Sequence, residues 1–373
     1  MKGKAAVFTE PGKPFQIREL PVPEVESGGL LIKITSAGIC GSDLHFWRGD
    51  HPPPNVQFGT EVLIGHEMTG VVHSLGAGVT TDSLGRPLKE GDRVAYCYSY
   101  PCLRCYWCIR GEFNHCPHRA RYRVALKDYP YCSAAYAEYY YLQPGHFVFL
   151  VPDELPEEMV TPVNCAVSQV IQGLNVANLH FGDTVVVQGA GGLGLNACAV
   201  AKDRGCNTVI AIDGITSRLE LARQCGADET IDITELQKPE ERIARVMEIT
   251  EGRGADAVLE VVGIPEVVPE GLAMLRRGGT YVEIGNISAG HMISIDVTRV
   301  VTHRGIHIVG VGGYDPWVIP VAMDFLIRAR GRFALDRVVS HKYPLEEITR
   351  AFQDAEWMGG QKDSRVTRAI LVT

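Results

Sequence analysis

The chain has 373 residues, of which 46% are hydrophobic and 21% charged. That length is enough for roughly two or three domains, and the composition is typical of a globular protein rather than a disordered, fibrous or membrane-spanning one. The formal charge of −8 argues against a nucleic-acid partner, because phosphate binding needs a basic face. The N-terminal residues lack the apolar core of a secretory signal, so the eleven cysteines are expected as thiols or metal ligands in the reducing cytoplasm.

The predicted elements change in character along the chain. Short β-rich segments broken by Gly and Pro occupy about the first 160 residues. From about residue 165, buried strands alternate with helices, which indicates an α/β fold with a parallel sheet covered on both faces. The predicted strands are 184–187, 208–213, 257–262, 280–284 and 306–311, with helices over 194–205 and 217–225. A helix over 318–330 and an apolar strand over 368–372 follow, and this tail could return to the first domain.

A glycine-rich turn stands between the first of these buried strands and the helix after it. Its sequence GAGGLG, residues 189–194, has glycine at the first, third and sixth positions, which suits a dinucleotide pyrophosphate at a helix N-terminus. Asp213 ends the next strand, where a carboxylate accepts the adenosine ribose hydroxyls and repels a 2′-phosphate, so NAD is predicted rather than NADP. The alternative is a glycine-rich turn in an unliganded sheet. The candidate cofactor-binding residues are Gly189, Gly191, Gly192, Leu193, Gly194, Asp213 and Arg218.

Four cysteines lie within 15 residues, at Cys102, Cys105, Cys108 and Cys116. Four thiolates at this spacing can close a tetrahedron around Zn²⁺ and leave no position for substrate, so a structural zinc site is predicted. The alternatives are buried or disulfide-paired cysteines, which the strained spacing disfavours, and a nucleic-acid-binding zinc ribbon, which the negative charge disfavours.

A second set of metal ligands is dispersed. Cys40 lies in GICGSDLH, His66 in GHE, and Cys165 comes just before the glycine-rich unit. Spacing alone would leave His66 as a satisfied core histidine. Beside a hydride-carrier fold, however, a Cys/His/Cys zinc site keeps one position for a substrate oxygen.

Taken in order, the motifs GICGSD, GHE, CxxCxxCx7C and GAGGLG resemble those of the zinc-dependent medium-chain alcohol dehydrogenases over essentially the full length of the chain. The resemblance implies a GroES-like, partly open β-barrel catalytic domain with a structural zinc lobe over 1–165. It also implies a Rossmann doubly wound parallel-sheet domain over 166–308, which binds NAD, and a return to the catalytic domain over 309–373. The family usually pairs Rossmann sheet edges, so a homodimer or homotetramer is expected.

The same resemblance implies roles for individual residues. The dispersed cysteine and histidine set would hold a catalytic zinc, with Glu67 as a transient or alternative ligand. Asp43 would orient His66. Ser42 and His45 would form the relay that carries the alcohol proton outward. The alternatives are that Ser42 is a simple turn residue and that His45 is a surface histidine.

The predicted function is reversible oxidation of a primary or secondary alcohol with hydride transfer to NAD, in a chain that holds two zinc ions. A polyol or amino-alcohol dehydrogenase is the alternative within the same chemistry, although such relatives commonly have glutamate at the position of Cys165. A catalytically silent binding relative is the alternative from another class, but none of the ligand or glycine motifs is broken.

Overall fold

The computed structural model describes residues 1–50, 60–121, 132–356 and 366–373. The chain divides into two compact units. The first unit consists of Met1–Cys165, Asp315–Ile327 and Val339–Thr373, and the second of Ala166–Tyr314 and Arg328–Val338. Within the described residues, every helix is too short or too polar to cross a membrane.

Short strands dominate the N-terminal part of the first unit, as the Gly and Pro punctuation predicts. The strands are β1 (Lys2–Phe8), β2 (Gln16–Pro21), β3 (Leu30–Gly38), β4 (Val62–Leu63), β5 (Glu67–Leu75), β6 (Arg93–Tyr96), β7 (Ser99–Tyr100), β8 (Ala120–Arg121), β9 (Tyr139–Leu142) and β10 (Val148–Leu150). The helices are α1 (Gly41–Arg48), α2 (Tyr106–Ile109) and α3 (Glu157–Val160), with a 3₁₀ turn at Phe113–His115 and a π-turn at Val163–Val167.

Strands and helices alternate in the second unit. The helices are α4 (Ser168–Val176), α5 (Gly192–Asp203), α6 (Thr216–Gln224), α7 (Pro239–Ile249) and α8 (Val267–Met274), with a π-turn at Thr298–Thr302. The strands are β11 (Thr184–Gln188), β12 (Thr208–Asp213), β13 (Glu229–Asp232), β14 (Ala255–Glu260), β15 (Leu275–Glu283) and β16 (His307–Gly310).

These six strands form one parallel sheet in the order β13-β12-β11-β14-β15-β16. From the central pair β11 and β14, successive strands are added outward on both sides. This is the doubly wound order of dinucleotide-binding sheets, so the predicted Rossmann class is confirmed. The central strands β11 and β14 are buried along their whole length, which is why they read in sequence as apolar runs.

The C-terminal segment completes the first unit. It adds α9 (Val318–Ala329), β17 (His341–Pro344), α10 (Ile348–Ala355) and β18 (Ala369–Val372), with a 3₁₀ turn at Leu345–Glu347. A further 3₁₀ turn, Leu335–Arg337, belongs to the second unit. Strand β18 lies between β3 and β17 in the sheet β10-β6-β5-β3-β18-β17, while β9 pairs with the other part of β3. Helix α10 packs Ile348 and Phe352 onto the apolar core of this unit. The last strand of the chain is therefore internal to the sheet.

The expected boundaries of the returning segment, 309–373, need correction. The second unit continues to Tyr314, and Arg328–Val338 also belongs to it. The segment Arg328–Val338 is held within the second unit by an ion pair of 2.6 Å between Arg332 and Asp203, the last residue of α5.

Candidate functional site

Three buried ligand groups converge in the first unit. Cys40 follows β3, His66 immediately precedes β5, and Cys165 lies in the π-turn Val163–Val167. The Cys40 and Cys165 sulfurs are 3.9 Å apart, and His66 Nε2 is 3.2 Å from Cys165 Sγ. Each residue is 8% exposed or less. Side chains from three separate chain segments thus present two sulfurs and one nitrogen to a single point.

Glycines with close neighbours bring the ligand-bearing loops together. Gly65 has φ +93°, and a Cβ there would lie 2.8 Å from the Tyr136 ring, so only glycine allows the turn that aims His66. Gly38 faces the Glu67 carboxylate so closely that a Cβ would overlap it. The GHE and GICG motifs are therefore requirements of backbone geometry as well as sources of ligands.

Asp43 links the two loops. Its Oδ1 lies 3.4 Å from His66 Nδ1, while its Oδ2 accepts hydrogen bonds from the Cys40 N–H at 3.1 Å and from the Tyr136 hydroxyl at 2.8 Å. The side chain of Asp43 is fully buried. A carboxylate in this position fixes the ring of His66 and leaves Nε2 facing the cysteines.

The three ligand groups fit a tetrahedral zinc ion with one open position. A Zn–S distance of about 2.3 Å requires sulfur–sulfur edges of about 3.8 Å, close to the 3.9 Å between Cys40 and Cys165. The hydrogen bond between the two thiols holds the pKa of Cys40 well below its ordinary value and raises the pKa of Cys165. A lowered pKa favours the thiolate of Cys40, which is the form of cysteine that binds a metal ion.

The four clustered cysteines form a closed set. Their sulfurs lie within 4.8 Å of one another, with close pairs at 3.5, 3.6, 3.8 and 4.0 Å. These lengths match the edges of a ZnS₄ tetrahedron. The Arg104 N–H, above all, lowers the pKa of Cys102 to about 6, while burial raises the pKa of Cys108 to about 12. Four sulfurs would fill every position of a bound zinc ion and leave none for a substrate, as a structural site requires.

The glycine-rich turn of the second unit lies between β11 and α5. Gly189 has φ +98°, and a Cβ on Gly194 would overlap the Gly189 carbonyl oxygen, which explains both glycines. Gly191, in contrast, has no neighbouring atom within 4 Å of a Cβ position. Helix α5 begins at Gly192, where Leu193 also lies in the first turn, so free N–H groups face this open space. The arrangement fits a dinucleotide pyrophosphate.

Asp213 closes the same turn. Its Oδ2 accepts the Ala190 N–H at 2.7 Å, and its Oδ1 accepts the N–H groups of Gly214 and Ile215 at 2.8 and 3.0 Å. Oδ2 accepts only one of these hydrogen bonds and can accept another, so the group can still bind a ribose hydroxyl. Arg218 is 9% exposed, and burial lowers its pKa from the ordinary value.

Comparisons with known proteins agree with this geometry. Residues 26–153 match the alcohol dehydrogenase GroES-like domain, and residues 192–328 match the zinc-binding dehydrogenase domain. The chain is 32% identical to 5-exo-hydroxycamphor dehydrogenase of Pseudomonas putida, covering 94% of each protein. It is also 32% identical to D-arabitol-phosphate dehydrogenase of Enterococcus avium, over 90% of this chain and 88% of that one. An alcohol dehydrogenase structure from Thermotoga maritima superposes with a TM-score of 0.89 at 30% identity, covering 100% of this chain and 99% of that one.

The chain belongs to the zinc-dependent medium-chain dehydrogenases. This confirms the resemblance drawn from the motifs, together with the GroES-like and Rossmann classes. The relatives act on chemically different alcohols according to their names, so membership establishes a dehydrogenase and not a substrate.

In this zinc dehydrogenase the two relay candidates lie on α1. His45 is 7% exposed, so it is not a surface histidine, and its Nδ1 lies 3.1 Å from Asp50 Oδ2 and 3.0 Å from Arg48 Nη2. Burial and the Arg48 guanidinium lower the pKa of His45. Among the described residues no hydrogen bond joins Ser42 to His45, so the relay through Ser42 stays a prediction.

Glu67 forms an ion pair with Arg368, a residue that lies outside every motif of the sequence. Its carboxylate accepts a hydrogen bond from Arg368 Nη2, and both side chains are buried. As a zinc ligand Glu67 stays a prediction, because its carboxylate is engaged by Arg368 in this structure. Arg368 lies 301 residues away, directly before β18. In the sequence it is only the first residue of the predicted strand 368–372.

Tyr136 is a further site residue without a motif. Its hydroxyl contacts Asp43 Oδ2 at 2.8 Å and the Gly38 carbonyl at 3.2 Å, and its ring supports Gly65. In the sequence it is one of eleven tyrosines between residues 96 and 141, and nothing in that run distinguishes it.

Proposed function

We propose that this chain is an NAD-dependent zinc alcohol dehydrogenase that reversibly oxidises a primary or secondary alcohol to an aldehyde or ketone. The convergence of Cys40, His66 and Cys165 on one point, with a tetrahedral position left open, carries this proposal. When bound, zinc supplies a Lewis acid for the substrate oxygen and NAD supplies the hydride acceptor. The structural cysteine set would hold a second zinc ion.

The residues around the ligands have separate tasks. Asp43 orients His66 through Nδ1 and fixes the Cys40 loop through Oδ2. The lowered pKa of His45 keeps its imidazole neutral at neutral pH, so it can accept the proton that the alcohol loses. Asp50, whose side chain is 37% exposed, lies beside that imidazole and offers the proton a way to solvent.

An alcohol panel tests the reaction. Aliphatic, aromatic, cyclic, polyol and amino alcohols are supplied with NAD, and NADH formation is followed by absorbance. We expect turnover with at least one class, and its loss in Cys40→Ala. Cys206→Ala is the matched control, because Cys206 is equally buried and belongs to neither metal set. Full turnover by a correctly folded Cys40→Ala variant would contradict the zinc mechanism.

The choice of NAD over NADP rests on Asp213. Asp213→Asn keeps an acceptor oxygen for the Gly214 and Ile215 N–H groups, loses the one for the Ala190 N–H, and removes the charge that would repel a 2′-phosphate. The ratio of the NADP and NAD dissociation constants is expected to fall about tenfold or more. An unchanged ratio would refute the assignment.

We also propose a homo-oligomer that pairs through strand β16 in a reducing, cytoplasmic setting. Strand β16 is the edge of the second unit's sheet, where Ile308 is 47% exposed. Met292 and Val297, which precede this strand in the chain, are 92% and 58% exposed. An apolar edge strand is a template for pairing with a second copy. All eleven cysteines lie in the described part of the chain and are free thiols, which supports the reducing setting.

A further inference from the structure

An arginine at the end of α1 contacts both His45 and the carboxylate beside it. Arg48 is the last residue of α1, and its Nε donates to Asp50 Oδ2 at 2.8 Å. Its Nη2 lies 3.0 Å from His45 Nδ1, and the same Asp50 oxygen lies 3.1 Å from that nitrogen. A fixed cation and an anion therefore face one nitrogen of the imidazole.

A second carboxylate holds the arginine from another side. Glu356 directly follows α10, and both of its oxygens accept hydrogen bonds from Arg48 Nη1 at 2.8 Å. The side chains of Arg48 and Glu356 are 17% and 15% exposed. A charge-assisted pair that is largely shielded from water is strong and is screened little by salt. All three guanidinium nitrogens are thereby engaged, so Arg48 is held in one orientation.

Arg48 and Asp50 require opposite protonation states of His45 Nδ1. A guanidinium only donates, so its hydrogen bond needs a lone pair on Nδ1, whereas an ionised carboxylate only accepts and needs a proton there. A proton that leaves Nδ1 toward Asp50 therefore exposes a lone pair to Arg48 Nη2. Within the described part of the chain His45 Nε2 makes no hydrogen bond, so Nε2 is the nitrogen that remains for a proton from the alcohol.

We propose that Arg48, held by Glu356, is a positioning residue for the proton relay: it fixes Asp50 against His45 and stabilises the imidazole that has released its proton. The incoming proton forms a bond to Nε2, the Nδ1–H bond breaks, and that second proton passes to Asp50 Oδ2 and then to water. Arg48 Nη2 next donates to the lone pair on Nδ1. Exchange of the imidazole proton with water restores the first tautomer before the next turnover. This inference rests on the proposed alcohol oxidation, in which His45 accepts the proton of the alcohol.

The charged groups that surround His45 support this assignment. Burial and then the Arg48 guanidinium lower the pKa of His45, while Asp50 and the charge of the Cys40 sulfur raise it. For Asp50, burial raises the pKa, but the hydrogen bond and charge of Arg48 and the contact with His45 outweigh burial, so the carboxyl group is ionised at neutral pH. Glu356 faces the guanidinium of Arg48. The two groups in contact with Nδ1 thus act on His45 in opposite directions.

The test titrates His45 directly and compares the result with the kinetics. In the zinc-loaded, full-length protein, the NMR signal of the His45 Cε1–H group is assigned by its loss in His45→Gln, and its pKa is measured. The pH profile of alcohol oxidation with NAD is recorded on the same samples. Arg48→Met removes the guanidinium, and Arg48→Lys keeps a cation without the planar fork. Arg18→Met is the matched control, because Arg18 pairs with the half-exposed Glu61 in the same unit.

We expect Arg48→Met to raise the pKa of His45 by about one pH unit, because Asp50 then faces Nδ1 without the opposing cation. The acid limb of the kcat profile should move to higher pH by the same amount, since His45 must be neutral to accept a proton. Arg48→Lys should shift the pKa less than Arg48→Met does, and Arg18→Met should leave it unchanged. An unchanged pKa of His45 in Arg48→Met would overturn the inference.

Asp50→Asn separates this effect from a general loss of structure. The amide carries no charge to stabilise an imidazolium, so the pKa of His45 should fall below its wild-type value, opposite to the change in Arg48→Met. Shifts in the same direction in the two variants would indicate a common disturbance of the fold and would count against Arg48.

Arg48→Met leaves the Glu356 carboxylate without its donor and could prevent folding. Arg48→Met combined with Glu356→Gln removes both charges, and the same rise in the pKa of His45 is expected from this variant. The absence of that rise would count equally against Arg48. If the wild-type chain oxidises no alcohol with NAD, the proposed function fails, whereas the NMR titrations still show whether Arg48 acts on His45, so the two failures are distinguishable.

Discussion

Glu67 and Arg368 form a buried ion pair within the first unit. Both side chains are removed from water, Arg368 at 3% exposure and Glu67 at 0%. The pair joins the first strand residue after His66 to the segment before β18. A buried ion pair is costly to form, but removal of one member leaves the other charge buried and uncompensated.

Arg368→Met is therefore expected to lower the free energy of unfolding by about 3–5 kcal/mol, measured as a shift of the urea midpoint. Arg350→Met is the control, because the pair of Arg350 with Glu347 is exposed and its loss should cost at most about 1 kcal/mol. Equal shifts of the urea midpoint in Arg368→Met and Arg350→Met would show that the buried pair stabilises the fold no more than the exposed pair does.

Tyr136 is predicted to act on the metal through Asp43. Its hydroxyl is one of the donors that fix the carboxylate facing His66, so Tyr136→Phe should weaken zinc binding at the catalytic site by about 10–100-fold, the usual effect of such outer partners. Competition with a chromogenic chelator measures this directly. Tyr139→Phe serves as the control, since its hydroxyl makes no hydrogen bond within the described residues. Equal zinc affinity in the Tyr136→Phe and Tyr139→Phe variants would contradict a role of the Tyr136 hydroxyl in zinc binding.

The ends of β14 and β15 form a pH-sensitive element. Glu260 keeps its proton to about pH 8 in the folded chain, against an ordinary value of 4.5. Between these values the folded state binds more protons than the unfolded state, so the free energy of unfolding falls as pH rises, by at most about 1.4 kcal/mol per pH unit.

Glu260→Gln should flatten this pH dependence, because glutamine has no proton to lose. Urea midpoints from pH 5 to 8.5 test the point, with Glu235→Gln as the control at an exposed position of the same unit. If the free energy of unfolding of Glu260→Gln depends on pH as steeply as that of the wild type, groups other than Glu260 cause the dependence.

Elements with local signals were predictable from sequence, and elements with long-range partners were not. Strand β12 occupies Thr208–Asp213 as predicted, because an apolar run between two turns defines it. The four-cysteine set is equally local. Strand β13, Glu229–Asp232, was missed because only Ile231 is fully buried in that edge strand. Arg368 has no motif, since its partner Glu67 lies 301 residues away.

At the scale of the whole molecule, the strongest prediction concerns assembly. If copies pair along β16, Ile308→Lys should convert the oligomer to a monomer in sedimentation velocity, because a buried lysine without a partner is unfavourable at an interface. Leu84→Lys is the matched control, since Leu84 is 55% exposed in the first unit. An oligomer that survives Ile308→Lys would place the contact elsewhere.

The position of β18 has a consequence for synthesis on the ribosome. The second unit closes its sheet with β16, which ends at Gly310, whereas the sheet of the first unit needs residues 369–372 between β3 and β17. A nascent chain can thus build the dinucleotide-binding sheet while its N-terminal third still lacks an internal strand. Residues 369–372 and the buried Arg368 beside Glu67 are synthesised after every strand of the second unit's sheet. The sheet of the first unit therefore begins first along the chain and is completed second.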